Sequence, residues 1–344
     1  MRGSWVVRLL GGALIVMVAL AGCGSSGDTP GGNATTDGTP DPASIVDPAA
    51  TPGTTDPGGG PATTDQPSVA AKPAPVTAPT KAFAVGTRQL NLSRGADRPL
   101  RTVVLYPANG TAGGNPKANA TPAAGRFPLV IFSHGLTGSP EGYQSVTSKI
   151  AAAGFIVAAP AYPYTSAGVK NFNASDMGNQ PADASVVITE VLKLNGRAGD
   201  PLAGHLDPTR VAASGHSAGG YTTAGLLSGS TRDARLIAGI IVSGGAMNGK
   251  FAGAATPVLF IHGDKDAVVP YATGRAAYDK LTWPKAFLTV LGGDHAPLFG
   301  APATPSVKTM IDFLRWTLYR DPAAKSRLPA DATTPGSTKL ESSL

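Results

Sequence analysis

The middle of the chain alternates between short, unbroken apolar runs and stretches whose apolar residues recur at helical spacing. The runs cover residues 100–106, 127–132, 154–158, 210–214, 237–242, 258–261 and 286–291. Continuous apolar runs of this length are expected of strands covered on both faces, as in a parallel sheet. Between them, Val146, Ile150 and Ala153 fall on one helix face, and residues 183–194 form a second helical stretch behind Pro181. Val307, Met310, Ile311, Leu314 and Leu318 make a stripe on a last helix. Strand and helix in alternation predict an α/β fold, a mostly parallel central sheet with helices on both faces. The sequence contains no internal repeat.

The ends of the chain read differently. Arg2 and Arg8 precede and flank an apolar stretch at residues 9–20, which is followed by Leu20-Ala21-Gly22-Cys23. A stretch this short suits a cleaved signal better than a spanning helix, which needs roughly 20 apolar residues. The segment resembles the lipobox of bacterial lipoproteins. That resemblance implies a signal peptide at residues 1–22, a diacylated Cys23 and an anchor at the extracytoplasmic face of the cell membrane. Residues 23–82 are rich in Gly, Pro, Thr and Asp, and residues 321–344 are similarly poor in large apolar side chains. Such segments bury too little apolar surface to offset their ordering entropy. The first is expected to be a disordered linker and the second a disordered tail. They are expected to flank one folded domain at residues 83–320.

Composition narrows the chemistry. Cys23 is the only cysteine, which excludes an internal disulfide, a cysteine nucleophile and a cysteine-rich zinc site. The net charge of +6 falls to +4 without Arg2 and Arg8, and charged residues are only 15% of the chain, with no basic cluster. No nucleic-acid partner is expected from that distribution.

One local pattern carries chemistry. The run at 210–214 leads into Gly215-His216-Ser217-Ala218-Gly219-Gly220, and residues 221–227 read as helix. This is G-x-S-x-G between a strand and a helix, the turn that lifts a serine hydroxyl above the end of a sheet. Ser217 is the expected nucleophile. In folds using this turn the acid and then the histidine follow the serine along the chain. After the run at 258–261 come two candidate acids, Asp264 and Asp266. Of the histidines, His134, His205 and His216 precede them, and His262 ends the acids' own strand. His295, in the loop after the run at 286–291, is the one that lies beyond. It is the expected base.

Further segments carry a family resemblance: Leu206-Asp207-Pro208-Thr209-Arg210-Val211, Val104-Leu105-Tyr106-Pro107-Ala108, Phe132-Ser133-His134-Gly135-Leu136 and Gln180-Pro181-Ala182-Asp183. Together with the serine turn they resemble the platelet-activating-factor acetylhydrolase and dienelactone-hydrolase-like branch of the α/β-hydrolase fold. The cutinase-like polyesterases are close in pattern. A departure is Ala161, where many relatives carry aspartate. The resemblance implies that the acid stands three residues before Val269-Pro270, which selects Asp266 over Asp264. It also implies an oxyanion-hole amide from Leu136; the second donor is assigned to the amide of His216, adjacent to Ser217. The side chains of His134 and His216 are then structural. The function so implied is hydrolysis of short to medium acyl esters through an acyl-serine intermediate, with no cofactor and no metal. Cutinase- or lipase-like cleavage of polyesters or lipids is the alternative, and a non-catalytic surface binding protein on the same fold is a third. The protein is expected to be a monomer. Residues 162–179 either line an acyl pocket or form an ordinary surface loop.

Overall fold

The computed structural model describes residues 77–247 and 250–344. The expected signal segment, Cys23 and the linker up to residue 76 lie outside the described residues. The described residues form one ten-stranded sheet with six α-helices. The strands are β1 (Ala84–Ser93), β2 (Pro99–Ala108), β3 (Lys117–Ala118), β4 (Phe127–Ser133), β5 (Ile156–Pro160), β6 (Leu206–His216), β7 (Leu236–Val242), β8 (Val258–Gly263), β9 (Lys285–Val290) and β10 (Thr338–Ser343). The helices are α1 (Gln144–Ala152), α2 (Gln180–Lys193), α3 (Ala218–Gly225), α4 (Tyr271–Lys280), α5 (Ala303–Tyr319) and α6 (Pro322–Ala332).

The spatial order is β10-β9-β8-β7-β6-β4-β5-β2-β1-β3. From β5 through β9 neighbouring strands run parallel. Antiparallel pairing appears toward the margins, at β5 with β2, β2 with β1 and β9 with β10. The unbroken apolar runs have the cause inferred for them. Along β4, Leu129 and Ile131 enter one core while Val130 and Phe132 enter the other. Val187, Ile188 and Val191 of α2 and Ala277 and Tyr278 of α4 close the first core. Val146 and Ile150 of α1 and Val307, Met310 and Leu314 of α5 close the second. This is the mostly parallel, doubly covered sheet of an α/β-hydrolase fold.

One expectation needs correction. Residues 321–344 are not a featureless tail but form α6 and β10. The Asp321 side chain caps α6 by accepting from the Ala323 amide at 2.9 Å, and Pro322 opens the helix. Its apolar residues are few but spaced for one face: Ala324, Leu328 and Ala332 are all buried. Lys308–Asp331 and Arg327–Asp312 pairs fasten it to α5. β10 then adds to β9 in register, Leu340 opposite Leu288. A narrow buried stripe and main-chain pairing suffice here, and neither requires the segment to be rich in large apolar residues.

Candidate active site

The chain leaves β4 for β5 on one side and later returns as β6 on the other. Connections therefore diverge above the carboxyl ends of β4 and β6, and such a switch point opens a crevice in an α/β sheet. Ser217 stands there, between β6 and α3, with φ 57° and ψ −121°. A left-handed backbone is costly for any residue but glycine. The Ser217 amide donates to the Val242 carbonyl at 2.9 Å, which ties the turn to β7. The flanking glycines are sterically required. A methyl on Gly215 would overlap the carbonyl of Gly219, and one on Gly219 would overlap the carbonyl of Ser133. The turn is thus pressed against β4, and Ser217 caps a helix whose first-turn amides lack intrahelical partners.

Strain recurs nearby. Thr137, after β4, has φ 57° and Ser243, after β7, has φ 45°. Thr137 belongs to the loop that carries Leu136, and this loop abuts the serine turn: a methyl on Gly135 would lie 3.1 Å from Ser217 Cβ. The segment 162–179 supports the loop from behind. Its Thr165 carbonyl accepts from the Thr137 amide, and its Ala167 amide donates to the Gly138 carbonyl, both at 2.8 Å. Tyr162 is fully buried, and its hydroxyl pairs with that of Ser133 at 2.7 Å. Asp176 is bound by Arg98, which also holds Asp183.

Asp266 and His295 meet. His295 Nδ1–H donates to Asp266 Oδ2 at 2.8 Å. The other oxygen, Oδ1, accepts from the amides of Val268 and Val269, each at 2.9 Å. Burial alone would raise the Asp266 carboxyl, but donors from His262, His295 and the Val269 amide outweigh it and hold the group well below the usual carboxylate range. Asp264 is engaged elsewhere: its Oδ1 accepts from the Gly292 amide at 2.7 Å and so anchors the loop that carries His295. The Lys265 amide adds a bond to the Gly293 carbonyl at 2.9 Å.

His216 ends β6 immediately before Ser217, and this corrects one expectation. The amide that follows the serine is that of Ala218, the first residue of α3, whereas the His216 amide belongs to the strand. The ring of His216 has a different task. Its Nε2–H donates to the His295 carbonyl at 2.6 Å, and its Nδ1 accepts from the Tyr143 hydroxyl at 2.7 Å. Tyr143 in turn accepts from the Gly135 amide at 3.3 Å. Burial pushes His216 down to about 4, so the ring is neutral near pH 7 and has one donor and one acceptor, as this chain requires. His134 is likewise pushed down to about 4 by burial and pairs with the Gly135 carbonyl and the Ser166 hydroxyl. Sequence reasoning assigned both rings to structure but missed Tyr143 and the contact of His262 with Asp266. Only the three-dimensional path of the strands brings those groups together.

The rings of His216 and His295 lie 4.8 Å apart between centroids, so His295 stands alongside the serine turn. A hydroxyl on a strained turn, an imidazole beside it and a buried carboxylate behind the imidazole form a constellation suited to acyl transfer. The family model described as "PETase: PET hydrolase-like" matches residues 74–325, a span that holds all three groups. Comparison of the chain with curated proteins gives no match.

Proposed function

Because this chain belongs to the PET hydrolase-like family, within the α/β-hydrolase superfamily, we propose that it hydrolyses carboxylic esters through an acyl-serine intermediate. The observation that carries this reading is the pairing of His295 with Asp266 at 2.8 Å beside a serine held at φ 57°. In the reaction His295 takes the Ser217 proton as Oγ attacks the ester carbonyl, then returns it to the departing alcohol. Asp266 fixes the tautomer of His295 and stabilises its cation. The amides of Ala218 and Leu136 would receive the charge on the carbonyl oxygen. Water then repeats the sequence on the acyl-enzyme. The chemistry draws only on side chains and backbone amides of this chain.

Within esters, two substrate classes compete. Short to medium acyl esters are favoured by the acetylhydrolase-like segments and by an aromatic content of only 6%. A polyester chain is favoured by the family match. Val268 supports it as well: this apolar side chain is 68% exposed, two residues from Asp266, and offers a contact to a substrate lying across an open site. The lipobox-like Leu20 to Cys23 supports a lipid anchor outside the cell membrane, so that a monomer would work on esters at the cell surface.

The test compares the full-length protein with Ser217→Ala on p-nitrophenyl esters of increasing acyl length and on a polyester film. Each methylene that finds room in the acyl site adds about 0.8 kcal/mol, so kcat/KM should rise and then fall at the depth of the site. A maximum between acetate and about hexanoate fits the first class, and release of soluble products from the film fits the second. Loss of the nucleophile should cost on the order of 10⁶ in rate, the loss known for a comparable triad. A variant that keeps a tenth of the wild-type rate would overturn the assignment of Ser217.

A further inference from the structure

Asp266 serves two histidines. We propose, on the ester-hydrolase reading of Ser217, Asp266 and His295, that His262 is a positioning residue for the reaction. Its Nε2–H, bonded to the Val269 carbonyl, sets its positive edge against Asp266 Oδ2, the oxygen that His295 uses, and so tunes the carboxylate charge that the base receives.

The geometry is specific. His262 Nε2 lies 3.1 Å from Asp266 Oδ2 and 2.9 Å from the Val269 carbonyl. Both partners are acceptors, so this nitrogen carries the ring proton. With the His295 hydrogen bond at 2.8 Å on Oδ2 and the two amides on Oδ1, the Asp266 carboxylate accepts three hydrogen bonds, and His262 Nε2 stands against Oδ2 as a fourth, electrostatic contact. A carboxylate offers about four lone-pair sites. Three hold hydrogen bonds and His262 lies against the fourth, so turning the group about its last bond loses charge-assisted hydrogen bonds. The His262 side chain is 2% exposed and that of Asp266 0%, so the shared charge is little screened by water.

The fold makes room for this ring. A methyl on Gly274, in α4, would overlap His262 Nδ1 and stand 3.1 Å from Cε1. Tyr271 sets its ring edge-on to His262 at 5.8 Å. The remaining ionisable groups around the pair are His216 at the end of β6, Tyr221 on α3, and Asp264 on the acid's own loop. His216 and Tyr221 both feel the Asp266 charge. His216 is committed to Tyr143 and the His295 carbonyl, and the Asp264 oxygen to Gly292. Among the described residues, His295 is the side chain hydrogen-bonded to Asp266, and His262 is the other imidazole in close contact with its carboxylate.

A hydrogen bond from His295 and the positive edge of His262 divide the charge of one oxygen. Without His262 the full charge of Oδ2 faces His295, the imidazolium is favoured, and the acid limb of activity moves to higher pH. The carboxylate also gains freedom to turn, which lowers kcat. A turn-holding role alone, through the Val269 carbonyl, would lower stability and leave the limb in place.

The experiment measures kcat and KM from about pH 5 to pH 9 for full-length wild type, His262→Leu and His262→Gln on a soluble p-nitrophenyl ester, with thermal melts of each. His262→Leu should move the acid limb of kcat/KM up by about half to one unit. Its kcat should fall about tenfold with KM changed less than about twofold. His262→Gln, whose amide can donate from a similar position, should recover most of both. In an Asp266→Asn background His262→Leu should add no further loss in kcat. If the leucine variant does not fold, His262→Asn, too short to reach Asp266, takes its place. An unmoved limb with a lowered melting temperature overturns the proposal. So does a glutamine variant that restores stability but neither kcat nor the limb. If Asp266→Asn alone keeps wild-type kcat, the ester-hydrolase reading of the acid has failed instead, and the two failures are told apart.

Discussion

Replacing Gly219 by alanine tests how tightly the serine turn is built into the sheet. The added methyl would overlap the carbonyl oxygen of Ser133 outright and stand 2.9 Å from that of His134. An ordinary non-bonded contact needs about 3.5 Å. The obstacles are backbone atoms, so no rotamer change relieves them. Nor can β4 yield easily, since Phe127–Ser133 is buried throughout and paired on both sides, to β5 and to β6. Overpacking that side chains can absorb costs about 1–3 kcal/mol. With main chain on both sides the cost should reach about 3 kcal/mol or more, which for a domain of this size lowers the melting temperature by roughly 6–12 °C. Activity should fall further than stability suggests, because separating α3 from β4 also separates the Ala218 amide from the Leu136 loop. A misplacement of about 1 Å in such a site can cost about a hundredfold in rate. Thermal unfolding and ester hydrolysis measure the two effects. Gly178→Ala is the control, since its methyl would meet open space at an ordinary φ. It should melt within about 2 °C of wild type. If Gly219→Ala does the same and keeps full activity, the steric argument for the turn is wrong.

Two further outcomes concern the site and the ends of the chain. His134 and His216 are each held at about 4 by burial, so between there and their ordinary value near 6.5 the unfolded chain binds protons that the folded chain refuses. Their contribution is therefore complete above about pH 6.5 and is lost as pH falls toward 4, by roughly 3 kcal/mol for each ring. Asp312, raised to about 6 by burial and by Asp331, works in the opposite sense. The net of these three groups near pH 5 is about one proton, so the unfolding free energy from urea titrations should fall by about 1.4 kcal/mol per unit as pH is lowered through 5; a flat or rising profile would contradict it. The second outcome concerns the lipid anchor proposed from Leu20 to Cys23: Cys23→Ala should shift the protein from the detergent phase to the aqueous phase, and equal partitioning of mutant and wild type would mean that no lipid is attached.

The features legible in the sequence were those that depend on short chain distances. The glycines around Ser217 are local, because Gly215 and Gly219 clear each other and β4 within one turn. The order of Ser217, acid and His295 is a property of the connectivity. Asp264 and Asp266 were separable only through a resemblance, since both follow β8 in one loop; their roles part in space, where one oxygen meets Gly292 and another meets His295. β1 escaped notice because its alternating half-buried pattern is not a continuous apolar run. β10 and α6 escaped because their stability comes from main-chain pairing and a narrow stripe. The assignment of an oxyanion donor to His216 failed on chain direction: the residue before the serine still belongs to the strand, and the residue after it opens the helix. His262 was set aside because it precedes the acid, although the side of β8 on which it falls brings it to Asp266.

The distribution of strain supports a functional rather than an incidental reading of this edge of the sheet. Of the five non-glycine residues with positive φ among the described residues, Thr137, Ser217 and Ser243 follow β4, β6 and β7 at their carboxyl ends. Arg320, by contrast, is the left-handed cap of α5, a position where such a conformation is ordinary. Each strained site costs of order 1–3 kcal/mol and survives only where its surroundings over-determine it. Here they do: Thr137 is held by the Thr165 carbonyl, Ser217 by that of Val242 and Ser243 by that of Ile261. These three bonds run from each strained residue to a neighbouring strand or segment, so the edge is braced laterally. On the proposed ester-hydrolase reading, an edge braced in this way would keep the Leu136 and Ala218 amides and the Ser217 hydroxyl in one arrangement before any substrate arrives. Electrostatic stabilisation of a developing oxyanion depends on that arrangement being fixed in advance. On the proposed reading, the moving part of the chemistry is the proton on His295, whose ring is held by Asp266 and whose backbone is held by His216.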